Sequence, residues 1–287
     1  MKQVQQACSF LFVPANRPER LPKALDSGAD MVVADWEDAV APDDKATARA
    51  SLVWAASALD AGQRRRLLVR INAQDSPWFD DDLRVLAELM EQGCAGAVIP
   101  KADGAAVVHT VAHAAGSQAA LLPLIESVSG LDAADTLATA PQVARLAFGH
   151  LDFQVDAGVD CDTDESELLP IRMAVVLAAR RAGLPAPIDS VTVDTRNPER
   201  LRHDAERARR MGFGGKLCIH PAQIAPLHAV FDPIAEAVQQ AQRVLQALEQ
   251  AGGGVCVLDG RMVDAPVLAQ ARQVLARHER ALQRTAP

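Results

Sequence analysis

Apolar residues in this chain fall into short unbroken runs, separated by stretches in which they recur every three or four positions. The runs Cys8-Ser-Phe-Leu-Phe-Val13, Met31-Val-Val-Ala34, Arg66-Leu-Leu-Val-Arg-Ile71 and Ala95-Gly-Ala-Val-Ile99 read as strands, because they are too short for helices and end at Pro, Asp or Asn. Four more runs follow, at 119–125, 143–148, 186–188 and 215–219. Between them the spacing predicts helices over 17–27, 44–59, 81–92, 105–115, 127–138, 166–182 and 198–211, with one more near 222–230. In the stretch 127–138, for example, Val128, Leu131, Ala134 and Leu137 share one helical face. Gly28, Gly62, Gly93, Gly116, Gly183 and Gly212 stand just past the predicted helix ends, where a left-handed residue closes the last turn.

Strand alternating with helix predicts parallel strands. Eight such units in about 230 residues fit a (β/α)8 TIM barrel better than a doubly wound sheet. We expect the barrel to occupy residues 1–231 as the catalytic domain. After that the rhythm changes: a helix over 233–250, a glycine break at 252–254, a short strand over 255–258, a turn at Asp259-Gly260, Met262-Val-Asp264, and a helix opened by Pro266. Residues 232–287 are therefore expected to be a C-terminal extension, a helical and hairpin lid, rather than a ninth repeat.

No strand leads into a Gly-x-Gly-x-x-Gly turn, and Met211-Gly-Phe-Gly-Gly215 precedes a strand instead of opening a helix. A dinucleotide site is excluded on that ground. A formal net charge of −8 argues against nucleic acid as a partner, despite the short basic patches at 64–66 and 207–210. The five cysteines are scattered and odd in number, which supports neither a zinc ribbon nor a disulfide framework. The amino-terminal residues lack an apolar signal core, and no apolar run reaches the roughly 18 residues of a membrane span. We expect a cytoplasmic protein with no membrane partner.

In a barrel of this kind chemistry sits where the strands end, because the βα loops vary without disturbing the core. The residues there are rich in charge: Arg17, Arg20 and Lys23 after strand one, then Asp35, Glu37 and Asp38, then Arg70 and Asn72, Lys101, Glu126, Asp152, Asp189 and His220. Glu126 and Asp152 follow the fifth and sixth strands, which the βαβ rule makes parallel, so both carboxylates emerge on one rim. Like charges so placed repel unless a cation lies between them, and a hard divalent ion such as Mg²⁺ suits oxygen ligands. Two solvated loop acids are the other reading of that stretch alone. Arg70 closes an apolar run, so a salt bridge to Glu37 or Asp38 competes with substrate binding there. Lys101 reads equally as a site residue or a solvated loop lysine, and His220 as a site residue or a satisfied loop histidine. His109 and His113 have the spacing of a zinc pair but no glutamate after the first, and are read as surface residues.

These segments together resemble the citrate lyase beta subunit-like group of the HpcH/HpaI aldolase superfamily, which includes malyl-CoA and citramalyl-CoA lyases. The likeness is carried by Ser9-Phe-Leu-Phe-Val-Pro-Ala-Asn-Arg17, Asp35-Trp-Glu-Asp-Ala-Val40 with Ala41-Pro-Asp-Asp-Lys45, Val69-Arg-Ile-Asn72 and Val98-Ile-Pro-Lys101. It continues in Pro123-Leu-Ile-Glu-Ser127, Leu146-Ala-Phe-Gly149 with Asp152, Gly214-Gly-Lys216 with Ile219-His-Pro-Ala-Gln223, and Gly260-Arg-Met-Val-Asp264. Two positions depart from the family pattern: Ala15, where glycine is usual, and Gly149-His-Leu-Asp152, where Gly-Ala-Glu-Asp is commoner.

The resemblance implies a carbon-carbon lyase that cleaves a short 3-hydroxyacyl-CoA thioester by retro-Claisen chemistry into acetyl-CoA and a 2-oxo acid. It implies Mg²⁺, with Mn²⁺ as a substitute, and coenzyme A as part of the substrate. Glu126 and Asp152 match the metal carboxylates, with Glu126 also facing the substrate. Arg70 matches the arginine at the thioester carbonyl, and Arg17 and Lys23 lie where coenzyme A phosphates bind. Asp264 matches an aspartate on the lid, and Glu37 and Asp38, in the matched loop after strand two, join Arg70 and Asp264 as catalytic candidates. A homotrimer or dimer of trimers with shared active sites is the implied assembly. A citrate lyase beta subunit acting on citryl-acyl carrier protein, or a barrel subunit without catalysis, are the alternatives.

Overall fold

The computed structural model describes residues 1–250 and 255–285. Eight parallel strands close into a barrel in sequence order: β1 (Ser9–Pro14), β2 (Met31–Asp35), β3 (Leu67–Arg70), β4 (Gly96–Ile99), β5 (Ala120–Ile125), β6 (Ala147–Phe148), β7 (Ile188–Asp189) and β8 (Gly215–Cys218). Pairing of β8 with β1, Lys216 opposite Ser9, completes the ring. This is the (β/α)8 architecture that the alternation predicts, and closure leaves the barrel without sheet edges.

A strand points alternate side chains to opposite faces, and here one alternate set fills the barrel interior. Phe10, Met31, Val33, Leu68, Val98, Ala120, Leu122, Leu124, Ile188 and Leu217 form one buried cluster. Val4 and Ala7 belong to the same cluster. The short helix Lys2–Gln6 that carries Val4 escaped the sequence reading. Its polar residues show no clear period, and burial of one valine at the barrel's base holds it.

The chain divides into two units, Met1–Leu227 and His228–Pro287. The second has its own apolar core of Ala241, Val244, Leu248, Val263 and Ala271. Its hairpin pairs Cys256–Leu258 with Arg261–Val263. Asp259 and Gly260 both take positive φ in the turn, the geometry that a two-residue hairpin loop demands. The expected glycine joint at 252–254 lies outside the described residues. Among the described residues no helix is long and apolar enough to cross a membrane.

Several boundaries differ from expectation: the sixth strand is only Ala147–Phe148, the seventh is Ile188–Asp189, and the first predicted helix is the turn Pro18–Arg20 followed by Leu21–Leu25. Gly62 sits inside the short helix Ala61–Arg64, which Asp60 and Gln63 cap reciprocally, rather than ending the helix before it. The stretch 127–138 is two short helices, Val128–Asp132 and Ala134–Ala138, whose junction the three-residue apolar spacing does not reveal.

The barrel interior predicts its own test. Leu122→Ala removes a side chain that is 1% exposed and should cost about 2–5 kcal/mol in urea unfolding. Val155→Ala, at a position 85% exposed, should stay within about 0.5 kcal/mol.

Candidate active site

The alternation that packs the interior also builds the mouth. Asp35 continues the face of Met31 and Val33, Arg70 that of Leu68, and Glu126 that of Ala120, Leu122 and Leu124. All three therefore stand where the interior opens at the carboxyl ends of the strands. The parallel register sets Asp35 opposite Arg70. Arg70 donates from Nε to Asp35 Oδ1 at 2.7 Å and from Nη2 to Oδ2 at 2.6 Å, a two-pronged ion pair. Its Nη1 lies 2.9 Å from Glu37 and 3.3 Å from Asp38. Burial opposes the guanidinium charge, but Asp35, then Glu37 and Asp38, outweigh it and raise the pKa further. The expected salt bridge to Glu37 and Asp38 is present, and it does not compete with a place at the site, since the ion pairs fix the guanidinium where it lines the mouth.

Glu126 is 3% exposed, and its Oε1 accepts the backbone N–H of Lys101 at 2.7 Å. Gly149 makes room for it: a Cβ there would lie 2.7 Å from Glu126 Oε2. Burial, then Glu37 and Asp152, push the Glu126 carboxyl up to about 8. Asp152 lies on the helix His150–Ala157, with its Oδ1 3.9 Å from Lys101 Nζ. From apolar spacing alone Asp152 falls in a loop. The left-handed Gly158 that ends this helix was the available signal.

Phe12, Asp35, Asp38, Arg70, Glu126 and Asp152 line one cavity of about 370 Å³. Two oxygen donors, one of them a deeply buried carboxyl whose affinity for positive charge is raised by burial and by the acids beside it, match what Mg²⁺ takes from a protein when water completes its shell. The residues present therefore fit the ion. Glu37 is outside that lining. It is buried behind it, against Arg70 and Lys101.

A second groove of about 420 Å³ shares Phe12, Pro14 and Ile219 with the cavity and carries Arg20, Lys23 and His220. Arg17 is not among its lining. Its guanidinium pairs instead with exposed Glu19 at 2.6 Å. His220 accepts the Ala222 N–H through Nδ1 and so also caps the turn behind β8. His109 and His113 are exposed on the outer helix Ala105–Ala115, as a surface pair should be. Asp264 is half-buried within the second unit, where Oδ1 accepts the Val267 N–H at 3.3 Å at the start of the last helix.

Asp189 overturns its place among the rim charges. It is fully buried, with Oδ1 accepting from Arg172 Nε at 3.0 Å and Oδ2 3.7 Å from Lys216 Nζ. It is the last residue of β7, and the buried cations Arg172 and Lys216 draw its side chain into the wall. The next residue, Ser190, lines the cavity and accepts the His150 N–H at 3.0 Å, with a short contact to His150 Nδ1. Burial drives His150 down to about 4, against the pull of Glu165, so it is neutral here at pH 7. This clamp fixes the start of the helix that bears Asp152. Only the departure from the family's Gly-Ala-Glu-Asp marked His150 in advance.

The raised Glu126 carboxyl gives a pH test. Between its ordinary 4.5 and about 8, the folded metal-free chain holds a proton that the unfolded chain releases. Stability should therefore fall as pH rises through that window, and Mg²⁺ should restore it by binding the ionised form. The rise in Tm on adding Mg²⁺ should be larger at about pH 8.5 than at about pH 6, and Glu126→Gln should remove the pH dependence. An equal rise at both pH values, measured by scanning calorimetry, would contradict this account of Glu126.

Comparison with known proteins gives the family. The model of the HpcH/HpaI aldolase/citrate lyase family matches residues 8–221. A citrate lyase subunit beta-like protein from Deinococcus radiodurans is 38% identical over 280 residues, covering 94% of this chain and 96% of its own. A (3S)-malyl-CoA thioesterase from Cereibacter sphaeroides is 35% identical over 274 residues, covering 94% of each. Among solved structures, CitE from Mycobacterium tuberculosis in complex with magnesium, acetoacetate and coenzyme A superposes with a TM-score of 0.81 at 32% identity, over 96% of this chain and 99% of that one. Matched across the whole barrel and alike over nearly its full length, the chain belongs to the HpcH/HpaI aldolase/citrate lyase family.

Proposed function

We propose that this chain is a Mg²⁺-dependent carbon-carbon lyase that cleaves a short 3-hydroxyacyl-CoA thioester, of malyl-CoA or citramalyl-CoA type, into acetyl-CoA and a 2-oxo acid. The observation that carries the reading is the cavity itself. A fixed arginine and two carboxylates, Arg70 against Glu126 and Asp152, share one small space that opens beside a basic groove. The solved relative with magnesium, acetoacetate and coenzyme A supports the same ligand classes.

Glu126 and Asp152 would hold the ion, which supplies Lewis acidity to orient the carboxylate and hydroxyl of the departing oxo acid. The remaining work falls to the chain. Asp38 lines the cavity and would accept the hydroxyl proton as the carbon-carbon bond breaks and its electron pair moves toward the thioester. Arg70 presents positive charge where the thioester oxygen becomes an enolate oxygen, and Asp35 keeps that guanidinium from reorienting. Asp264, by its family likeness, would return a proton to the enolate carbon from the lid, with a neighbouring subunit of the implied trimer contributing it. Arg20 and Lys23 in the groove would meet coenzyme A phosphates, with Arg17 at its approach. No serine or cysteine nucleophile is needed.

The relative that acts as a malyl-CoA thioesterase supports a second reading, in which water attacks the thioester. Products separate the two. Incubated with malyl-, citramalyl- and citryl-CoA, a lyase releases acetyl-CoA and a 2-oxo acid in equal amounts, whereas a thioesterase releases free CoA and the intact hydroxy acid. We expect the first pattern for at least one substrate, with Arg70→Lys lowering kcat by about two to three orders of magnitude. Free CoA without any 2-oxo acid would assign the chain to the thioesterases. Turnover confined to a carrier-protein thioester would assign it to the citrate lyase beta subunits.

A further inference from the structure

Lys101 was equally a site residue and a solvated lysine in the sequence, and the lyase chemistry above does not use it. Its geometry is nonetheless specific. It follows Pro100 past the end of β4 with φ +45°, in the left-handed region that residues with a side chain rarely occupy. Such a conformation persists where surrounding contacts over-determine it. The contacts here are with three acids. The backbone N–H of Lys101 donates to Glu126 Oε1 at 2.7 Å, and Nζ donates to Glu37 Oε1 at 2.7 Å. Nζ also stands 3.9 Å from Asp152 Oδ1. One residue thus touches both proposed metal carboxylates and the buried acid behind them.

The charges divide accordingly. Asp35 is matched by Arg70, and Glu37 is shared between Arg70 and Lys101. Glu126 and Asp152 then remain as two negative charges for one divalent ion. The ammonium, however, lies close enough to Asp152 to oppose that ion directly. Resting on the metal reading of the site, we propose that Lys101 is a built-in counter-ion: its ammonium competes with the divalent cation for Asp152 and weakens metal binding, while it holds Glu37 in place against Arg70. It is a positioning residue rather than a catalytic one. Its backbone contributes separately, by orienting Glu126 through an N–H that no side-chain replacement removes.

The sign of the effect distinguishes this from a scaffolding role. A lysine that merely supports the loop would, when removed, loosen the site and weaken metal binding. A competing ammonium, when removed, leaves the same carboxylates with less positive charge nearby and tightens it. Isothermal titration of the full-length protein with MgCl₂ should show Lys101→Met binding the ion about tenfold more tightly than wild type, since one unit charge near 4 Å is lost. Lys101→Gly should do the same, because glycine accepts the left-handed backbone without strain and keeps the N–H to Glu126. Turnover should move the opposite way, with kcat falling at least about tenfold in both as Glu37 loses one of its two cationic partners and is held by Arg70 alone. Lys101→Arg should restore both quantities toward wild type. Unchanged or weaker Mg²⁺ affinity in both Lys101→Met and Lys101→Gly, with wild type binding normally, overturns the counter-ion role. Wild type that itself binds no Mg²⁺ overturns the metal reading of the site, and this inference with it.

Discussion

The mouth of this barrel depends on the ion pair between Asp35 and Arg70. Both side chains continue the inward faces of adjacent strands, so the register that pairs β2 with β3 also sets carboxylate against guanidinium. A guanidinium buried at that depth is tolerated because its charge is matched on the spot, and removing the partner would leave it uncompensated. Asp35 also accepts the backbone N–H groups of Glu37 and Ala39 at 2.9 and 3.2 Å. The same carboxylate therefore folds the loop that presents Glu37 and Asp38.

From that pair the electrostatics spread in two directions. Toward the loop after β2, acids cluster on Arg70. Toward β5 and the helix after β6, Glu126 and Asp152 share a space where burial and like charge make an added cation favourable. The wall beneath is equally charged but closed. Asp189 is held between Arg172 and Lys216, and Glu165 gathers Arg172, Arg200 and Arg207. The first set faces a cavity; the second faces packed side chains and holds Ser190 and His150, which seat the helix bearing Asp152.

Much of this was legible in the residues. Strand alternation fixes which side chains point inward, and the rule that barrel chemistry sits past the strand ends puts Arg70, Glu126 and Asp152 among the rim residues without coordinates. What escaped depends on distances that sequence spacing does not encode. In the sequence Asp189 closes a short apolar run as the rim residues close theirs, yet it lies within β7, and two buried cations from distant segments draw it into the wall. Arg17 and Lys23 are a few residues apart in the chain, but a local pair with Glu19 occupies the first, and Lys23 and Arg20 line the groove. Lys101 was ambiguous because its role rests on a left-handed backbone turn, and lysine carries no sequence mark for that conformation. The helix His150–Ala157 was missed because its first turn contains the site residue, and the charged positions there mask the apolar spacing.

The claim that joins these parts is that Glu126 and Asp152 hold one divalent ion in front of Arg70. Crystals grown with MgCl₂ and a 2-oxo acid test it directly. The account predicts one octahedral ion with an oxygen of each carboxylate at about 2.0–2.1 Å, water and the oxo acid completing its shell. An ion bound away from both carboxylates, or a mouth that stays without metal at saturating MgCl₂, would contradict it.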